Sequence, residues 1–262
     1  ARINTVEDDV SEGSEKFTLE AVVTKGETVN GIVIGTGTII DDDGVPSILI
    51  GDAVLDEQNG VMVFKVSLTN PSSSEITVNF KTQDDSAIAG EDYTSTTGVV
   101  TFPVGTTVQY IQVPINDDNV YENDESFKVL LENAVNAEIA DDTAIGTIKD
   151  NDLPNISITN TQVTEGESAQ FVISLTNPSV EEITLSLTAK ADTAIENEDY
   201  NPQVEVLING VWTPVNEATI PAGETQVVAR INTVEDDVSE GSEKFTLEAV
   251  VTKGETANGI VI

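Results

Sequence analysis

Residues 1–34 of this chain, ARINTVEDDVSEGSEKFTLEAVVTKGETVNGIVI, recur at 229–262 with one change, Val29 becoming Ala257. Cores accept many sequences of similar volume and pattern, so packing alone does not hold a stretch this long nearly constant. Recent duplication of a long unit does. Self-similarity on this scale marks a repeat architecture. The chain is expected to hold slightly more than one period of an array, entered and left inside a repeat.

Within each period, short stretches alternate apolar and polar residues. Val61–Ser67 (VMVFKVS), Ile76–Thr82 (ITVNFKT), Val108–Pro114 (VQYIQVP) and Phe127–Leu131 (FKVLL) are the clearest. Period-two alternation rich in Val, Ile, Thr and Phe predicts half-buried strands. Turn chemistry separates them, as at Asn70-Pro71-Ser72, Pro103-Val104-Gly105 and 117–123. No long helical pattern appears. Strands at this spacing predict antiparallel β-sandwiches.

A second, weaker repeat lies inside the long one. SLTNPS occurs at 67–72 and 174–179, and EDY at 91–93 and 198–200. The expected organisation is the C-terminal part of a domain at 1–43, a complete domain at 44–152, and a copy lacking its last strand at 153–262. The last copy carries extra residues near 201–218, where Asn209-Gly210 separates two alternating segments and predicts a tight hairpin. Trp212, the single Trp, lies on that hairpin. It either caps the local core or offers a contact to a ligand.

Charge narrows the function. Forty-seven Asp and Glu face eleven Lys and Arg, a net charge of −36. Nucleic acid is disfavoured, because phosphate binding needs a basic face. With no Cys and no His, thiol and imidazole catalysis, disulfides and the usual zinc ligands are all removed. No apolar run is long enough to span a bilayer as a helix.

The acidic residues recur at the ends of the expected strands. In the complete copy they are Glu57, Asp92, Asp117, Asp118, Glu122, Asp150 and Asp152. In an up-and-down sandwich such strand ends gather at one pole. Clustered carboxylates repel one another, and a hard cation reverses the sign of that interaction. Calcium accepts several carboxylate and carbonyl oxygens without strict geometry, whereas magnesium demands near-octahedral order. Acidic loops can also be solvated surface or an adaptation to high salt, but their return at equivalent positions favours a metal.

Taken together, SLTNPS, AIAGEDY at 87–93, FPVGTT at 102–107, INDDNVYENDESF at 115–127 and GTIKDND at 146–152 resemble the Calx-beta family over essentially the whole chain. The resemblance implies seven-stranded immunoglobulin-like β-sandwiches in a linear array, an all-β fold, with Ca2+ as cofactor at one pole. It implicates Glu57, Asp92, Asp117, Asp118, Glu122, Asp150 and Asp152, with the carbonyl of Val120. In the last copy it implicates Glu165, Asp199, Glu235, Asp236 and Glu240. In the first fragment it implicates Glu7, Asp8, Glu12, Asp41, Asp42 and Asp43. Glu stands for Asp at 7 and 235, and Asn151 where an Asp is common, so the ion number per copy stays open.

The expected role is structural rather than enzymatic: a calcium-binding segment of a long, secreted or cell-surface fibre or adhesin stalk, with calcium stiffening the domain junctions. Its expected partners are neighbouring repeats of the same protein, head-to-tail in a filament. The alternative is an adhesion module in which the Trp212 hairpin binds a glycan or cell-surface protein.

Overall fold

A computed structural model describes every residue except Glu240. Its described residues are built from strands, with one 3₁₀ turn at Glu57–Asn59. The chain divides into two compact units, residues 1–117 with 125–149, and residues 118–124 with 150–262.

The first unit opens with a hairpin, β1 (Glu15–Val22) against β2 (Ile32–Ile39), antiparallel throughout. Two facing sheets follow, formed by β3 (Ser47–Ile50), β4 (Ala53–Asp56), β5 (Val61–Leu68), β6 (Ile76–Asp84), β7 (Thr97–Phe102), β8 (Val108–Pro114), β9 (Glu125–Val135), β10 (Glu138–Ile139) and β11 (Thr143–Lys149). The sheet orders are β10-β3-β5-β8 and β4-β11-β9-β6-β7. β3 and β4 are halves of one strand that changes sheet at Gly51-Asp52. β3 runs antiparallel to β5, β4 runs parallel to β11, and Asp52 accepts the Ile145 N–H at 2.7 Å. Counted this way, the sandwich has seven principal strands plus the short β10.

The alternation read from sequence is the burial pattern observed. Along β5, Met62, Phe64, Val66 and Leu68 face inward while the residues between them are less buried. Since side chains alternate across a pleated strand, a one-residue slip would turn this set to solvent, which fixes the register. Phe127 anchors the core, stacked on Tyr93 (centroids 4.3 Å apart) and edge-on to Phe64 (5.8 Å). It lies opposite Gly146 in the ladder, and the glycine leaves room for the ring.

β9 is longer than the Phe127–Leu131 stretch read from sequence. Opposite β6 its register shifts between Thr77 and Asn79, and Asn133 takes a left-handed φ of 56°. This bulge breaks the alternation and hides the strand's continuation.

The second unit repeats the plan with β12 (Ile156–Ile158), β13 (Ser168–Leu175), β14 (Ile183–Ala191), β15 (Glu205–Ile208), β16 (Val211–Pro214), β17 (Glu217–Ile220), β18 (Gln226–Asn232), β19 (Phe245–Lys253) and β20 (Ile260–Val261). Its sheets are β12-β13-β18-β15-β16 and β17-β14-β19-β20. β15 and β16 form the hairpin around Asn209-Gly210, whose φ values of 51° and 79° are those of a type I′ turn. Trp212 on β16 is half-buried under the Arg230 guanidinium, 4.4 Å from the ring centroid, and Arg230 also pairs with Glu205 at 2.6 Å. One ring face is thus occupied by a cation from the chain itself.

Candidate metal centre

In the second unit the acidic run after β11 folds back on itself. Asp150 accepts the Glu122 N–H on one carboxylate oxygen (2.9 Å) and the Asp152 N–H on the other (3.0 Å). Asp118 caps its own loop by accepting the Val120 N–H at 2.7 Å. Each carboxylate oxygen that takes an N–H keeps a lone pair for a cation. Burial pushes the Asp150 carboxyl above its ordinary range, and the charges of Asp152 and Asp118 push the same way. The two backbone donors oppose them without prevailing. Negative charge is concentrated beyond what the local donors offset.

The first unit contains the same arrangement, built by other copies of the motif. Asp41 accepts the Glu12 N–H (3.1 Å) and the Asp43 N–H (3.4 Å), while Asp8 accepts the Val10 N–H (3.0 Å). Glu12 is raised by desolvation and then by Glu15, Asp8 and Asp41. Asp43 is raised by desolvation and then by Asp41, Asp42, Asp8 and Asp9. Asp8, Glu12, Asp41, Asp42 and Asp43 therefore feel one another as a group, and Glu7, like Asp8 and Glu12, is exposed.

The other expected ligands lie at strand ends or, as with Asp92 and Asp199, within the loops between strands rather than at the strand ends read from sequence. Glu57, in the first unit, opens the 3₁₀ turn after β4 and is 6% exposed, the one buried carboxylate among the described residues. Asp92, in the same unit, accepts the Ile88 N–H at 2.6 Å, and its carbonyl accepts the Asn116 N–H at 2.9 Å. Asp117 is exposed just beyond β8. In the last copy Asp199 repeats the pattern, accepting the Ile195 N–H at 2.5 Å and, through its carbonyl, the Val234 N–H at 2.9 Å. Asp236 accepts the Val238 N–H at 2.7 Å. Glu235 lies over the turn that carries Glu165: a Cβ on Gly166 would sit 3.0 Å from its Oε2, and Gly166 has φ +76°. A side chain there would be strained by the left-handed φ and would have to press the Glu235 carboxylate aside. Glu240 lies outside the described residues.

Asp92 with Asp199, Asp8 and Asp118 with Asp236, and Asp41 with Asp150 thus fall into repeated settings, and the donor chemistry of the expected set is carboxylate and carbonyl oxygen without nitrogen or sulfur. That set fits calcium.

Sequence reading missed the residues that hold these loops from the other side. Of the four buried polar residues among those described, three are Ser72, Asn177 and Ser179 of the two SLTNPS segments. Asn177 donates its amide to the Asp152 carbonyl, and Asn70 donates to the Asp43 carbonyl at 3.4 Å. Tyr121 forms a parallel bridge with Ser179, and Ser11 forms the matching bridge with Ser72. The recurrence of SLTNPS was the available signal, but its residues also suit an ordinary turn.

The Calx-beta domain matches three segments, 1–43, 41–152 and 149–261. Sodium/calcium exchanger 1 of Rattus norvegicus is 42% identical over 71 residues, 27% of this chain and 7% of the exchanger. The sodium/calcium exchanger Calx of Drosophila melanogaster is 29% identical over 131 residues, 49% of this chain and 14% of the exchanger. The chain therefore spans only a small part of these curated relatives. Among solved structures, the calcium binding domain CBD12 of CALX1.1 is 20% identical with a TM-score of 0.40, covering 80% of this chain and 81% of that one. No helix among the described residues is long and apolar enough to cross a membrane. With three matched segments that together cover nearly its whole length, the chain belongs to the Calx-beta family.

Proposed function

We propose that this chain is a calcium-binding structural segment of a longer repetitive protein, in which calcium held by the acidic loops stiffens the junction between successive copies. One observation carries the reading: the acidic run closing one copy is joined to the Thr-Asn-Pro-Ser turn of the next, after β5 or β13, by the same bonds in both places where the chain contains such a junction. Asp150 and Asp41 organise these runs and would hold the ion, with Asp118, Glu122 and Asp152, and Asp8, Glu12 and Asp43, around them. A bound divalent cation would supply the positive charge that clustered carboxylates lack, and so order the loop that the next copy grips. Pro46 and Pro154 follow the runs and limit rotation there.

A near-identical long repeat and an extremely acidic composition suit a secreted or surface-anchored fibre or adhesin stalk, with neighbouring repeats as its partners. Calcium in the range of about 10⁻⁴–10⁻³ M, typical for extracellular modules, would set its stiffness. The Trp212 hairpin gives a glycan or cell-surface ligand less to hold, because Arg230 covers one face of the ring. Small-angle scattering of the intact chain with calcium and with chelator tests the reading. A broader, shifted distance distribution on chelation is expected; superimposable profiles would reject junction stiffening.

A further inference from the structure

The Thr-Asn-Pro-Ser turns, 69–72 and 176–179, share a wiring that a simple reversal of the chain does not require. Thr176 Oγ1 accepts the Asn155 N–H at 3.0 Å, which leaves its proton to donate to Asn177 Oδ1 at 2.7 Å. The amide oxygen is thereby fixed and the NH2 turned to the Asp152 carbonyl. Ser179 Oγ accepts the Glu181 N–H at 3.1 Å, and its carbonyl accepts the Gly223 N–H at 2.9 Å. So anchored, the turn presents the Pro178 carbonyl to the Tyr121 N–H (2.9 Å) and the Val180 N–H to the Tyr121 carbonyl (3.0 Å).

The other turn repeats each step. Thr69 accepts the Ser47 N–H at 2.9 Å and donates to Asn70 Oδ1 at 2.8 Å. Ser72 accepts the Ser74 N–H at 3.0 Å on its hydroxyl and the Gly105 N–H at 3.0 Å on its carbonyl. Pro71 O accepts the Ser11 N–H at 2.9 Å, and the Ser73 N–H reaches Ser11 O at 3.0 Å. The gripped residue is Tyr in one junction and Ser in the other. The grip itself uses only the backbone of that residue, the Tyr121 hydroxyl donating separately to Glu255 at 2.8 Å, whereas the gripping turn is the same in both.

We infer that the Thr-Asn-Pro-Ser turn is a docking latch whose partner is the acidic loop of the preceding copy, and that it couples docking to the state of that loop. The inference rests on the calcium reading only for the second clause. Asp152 is the shared residue: its N–H is bound to Asp150 within the acidic run, and its carbonyl is bound to Asn177. Ordering the run from one side therefore favours the other, and the effect is reciprocal. A buried amide with a satisfied network specifies one partner geometry, since any other docking leaves it unpaired.

Hydrogen exchange on the full chain tests this, comparing wild type with Asn177→Ala and with Asn70→Ala. Asn177→Ala should speed exchange of the Tyr121 and Val180 amides about tenfold, the scale of one lost hydrogen bond, while Ile173 and Ala229 in the sheet stay slow. Asn70→Ala should do the same at Ser11 and Ser73. Unchanged junction amides would overturn the latch, and so would a uniform rise that includes Ile173 and Ala229, which would make Asn177 a folding residue instead. Chelator separates the two clauses. If wild-type junction amides also speed up on calcium removal, the coupling holds. If only the Asn variants respond, the latch stands and its calcium coupling falls.

Discussion

Asp150 takes the Glu122 N–H on one carboxylate oxygen at 2.9 Å, closing a span of 28 residues with a single acceptor. Its other oxygen takes the N–H of Asp152. A carboxylate with two backbone donors would ordinarily titrate low, yet Asp150 is raised, because burial and two neighbouring carboxylates outweigh the donors. The acidic loop is arranged around charge that it does not neutralise from within.

That balance sets a pH dependence. A carboxyl raised in the folded chain stabilises most below its unfolded value, 3.8 for Asp150, and loses this contribution as pH rises through the folded value. Glu12 and Asp43 act in the same direction. Asp85, lowered by its hydrogen bonds to Lys128 and Ser126, and Glu205, lowered chiefly by Arg230, act in the opposite one. The difference isolates the loop: in chelator, wild type should lose melting temperature relative to Asp150→Asn as pH climbs from about 4 to 7. Saturating calcium should reverse that order. Parallel melting curves for the two proteins across this range would count against the loop as a strained acidic cluster.

The two tyrosines of the EDY segments differ in one respect. Tyr93 Oη donates to Asp84 at 2.6 Å, while the buried Tyr200 Oη has no partner among the described residues. Ala191 ends β14 where Asp84 ends β6. Both rings stack on a phenylalanine, the buried Phe127 or the partly buried Phe245. Tyr93→Phe should therefore cost about 1–2 kcal/mol. Tyr200→Phe should be neutral or stabilising by up to about 1 kcal/mol, since it removes an unpaired buried hydroxyl. Chemical denaturation of the two variants checks the contrast, which fails if both lose equal stability.

Gly146 faces Phe127 across the β9–β11 ladder, and a Cβ there would lie 2.8 Å from both the Phe127 ring and Met62 Sδ. Gly146→Ala should destabilise by about 1–3 kcal/mol through overpacking. A denaturation midpoint unchanged from wild type would show that the ring can move aside.

The strands and acidic positions were legible because each leaves a periodic or recurrent mark. Met62, Phe64 and Val66 alternate, and the aspartates of DDD at 41–43 and DND at 150–152 return at equivalent strand ends. The end of β9 was not legible, since Asn133 in a left-handed conformation breaks the alternation that identifies a strand. Nor was the role of Asn70 and Asn177. Their partners are backbone carbonyls, which have no signature in sequence, and Asn-Pro-Ser reads equally well as a turn. Trp212 was ambiguous for a related reason: its cation, Arg230, lies on a different strand that only the sheet brings alongside.

Calcium titration of the intact chain by calorimetry, alongside an Asp41→Asn/Asp150→Asn double variant, bears most directly on the central claim. Both substitutions keep the size of the side chain and remove the charge at the centre of each junction loop. Wild type should bind calcium at about 10⁻⁴–10⁻³ M or tighter, and the variant should lose at least tenfold in affinity at the junction sites while retaining its strand content. Equal isotherms for the two proteins, or no binding by wild type at millimolar calcium, would contradict it.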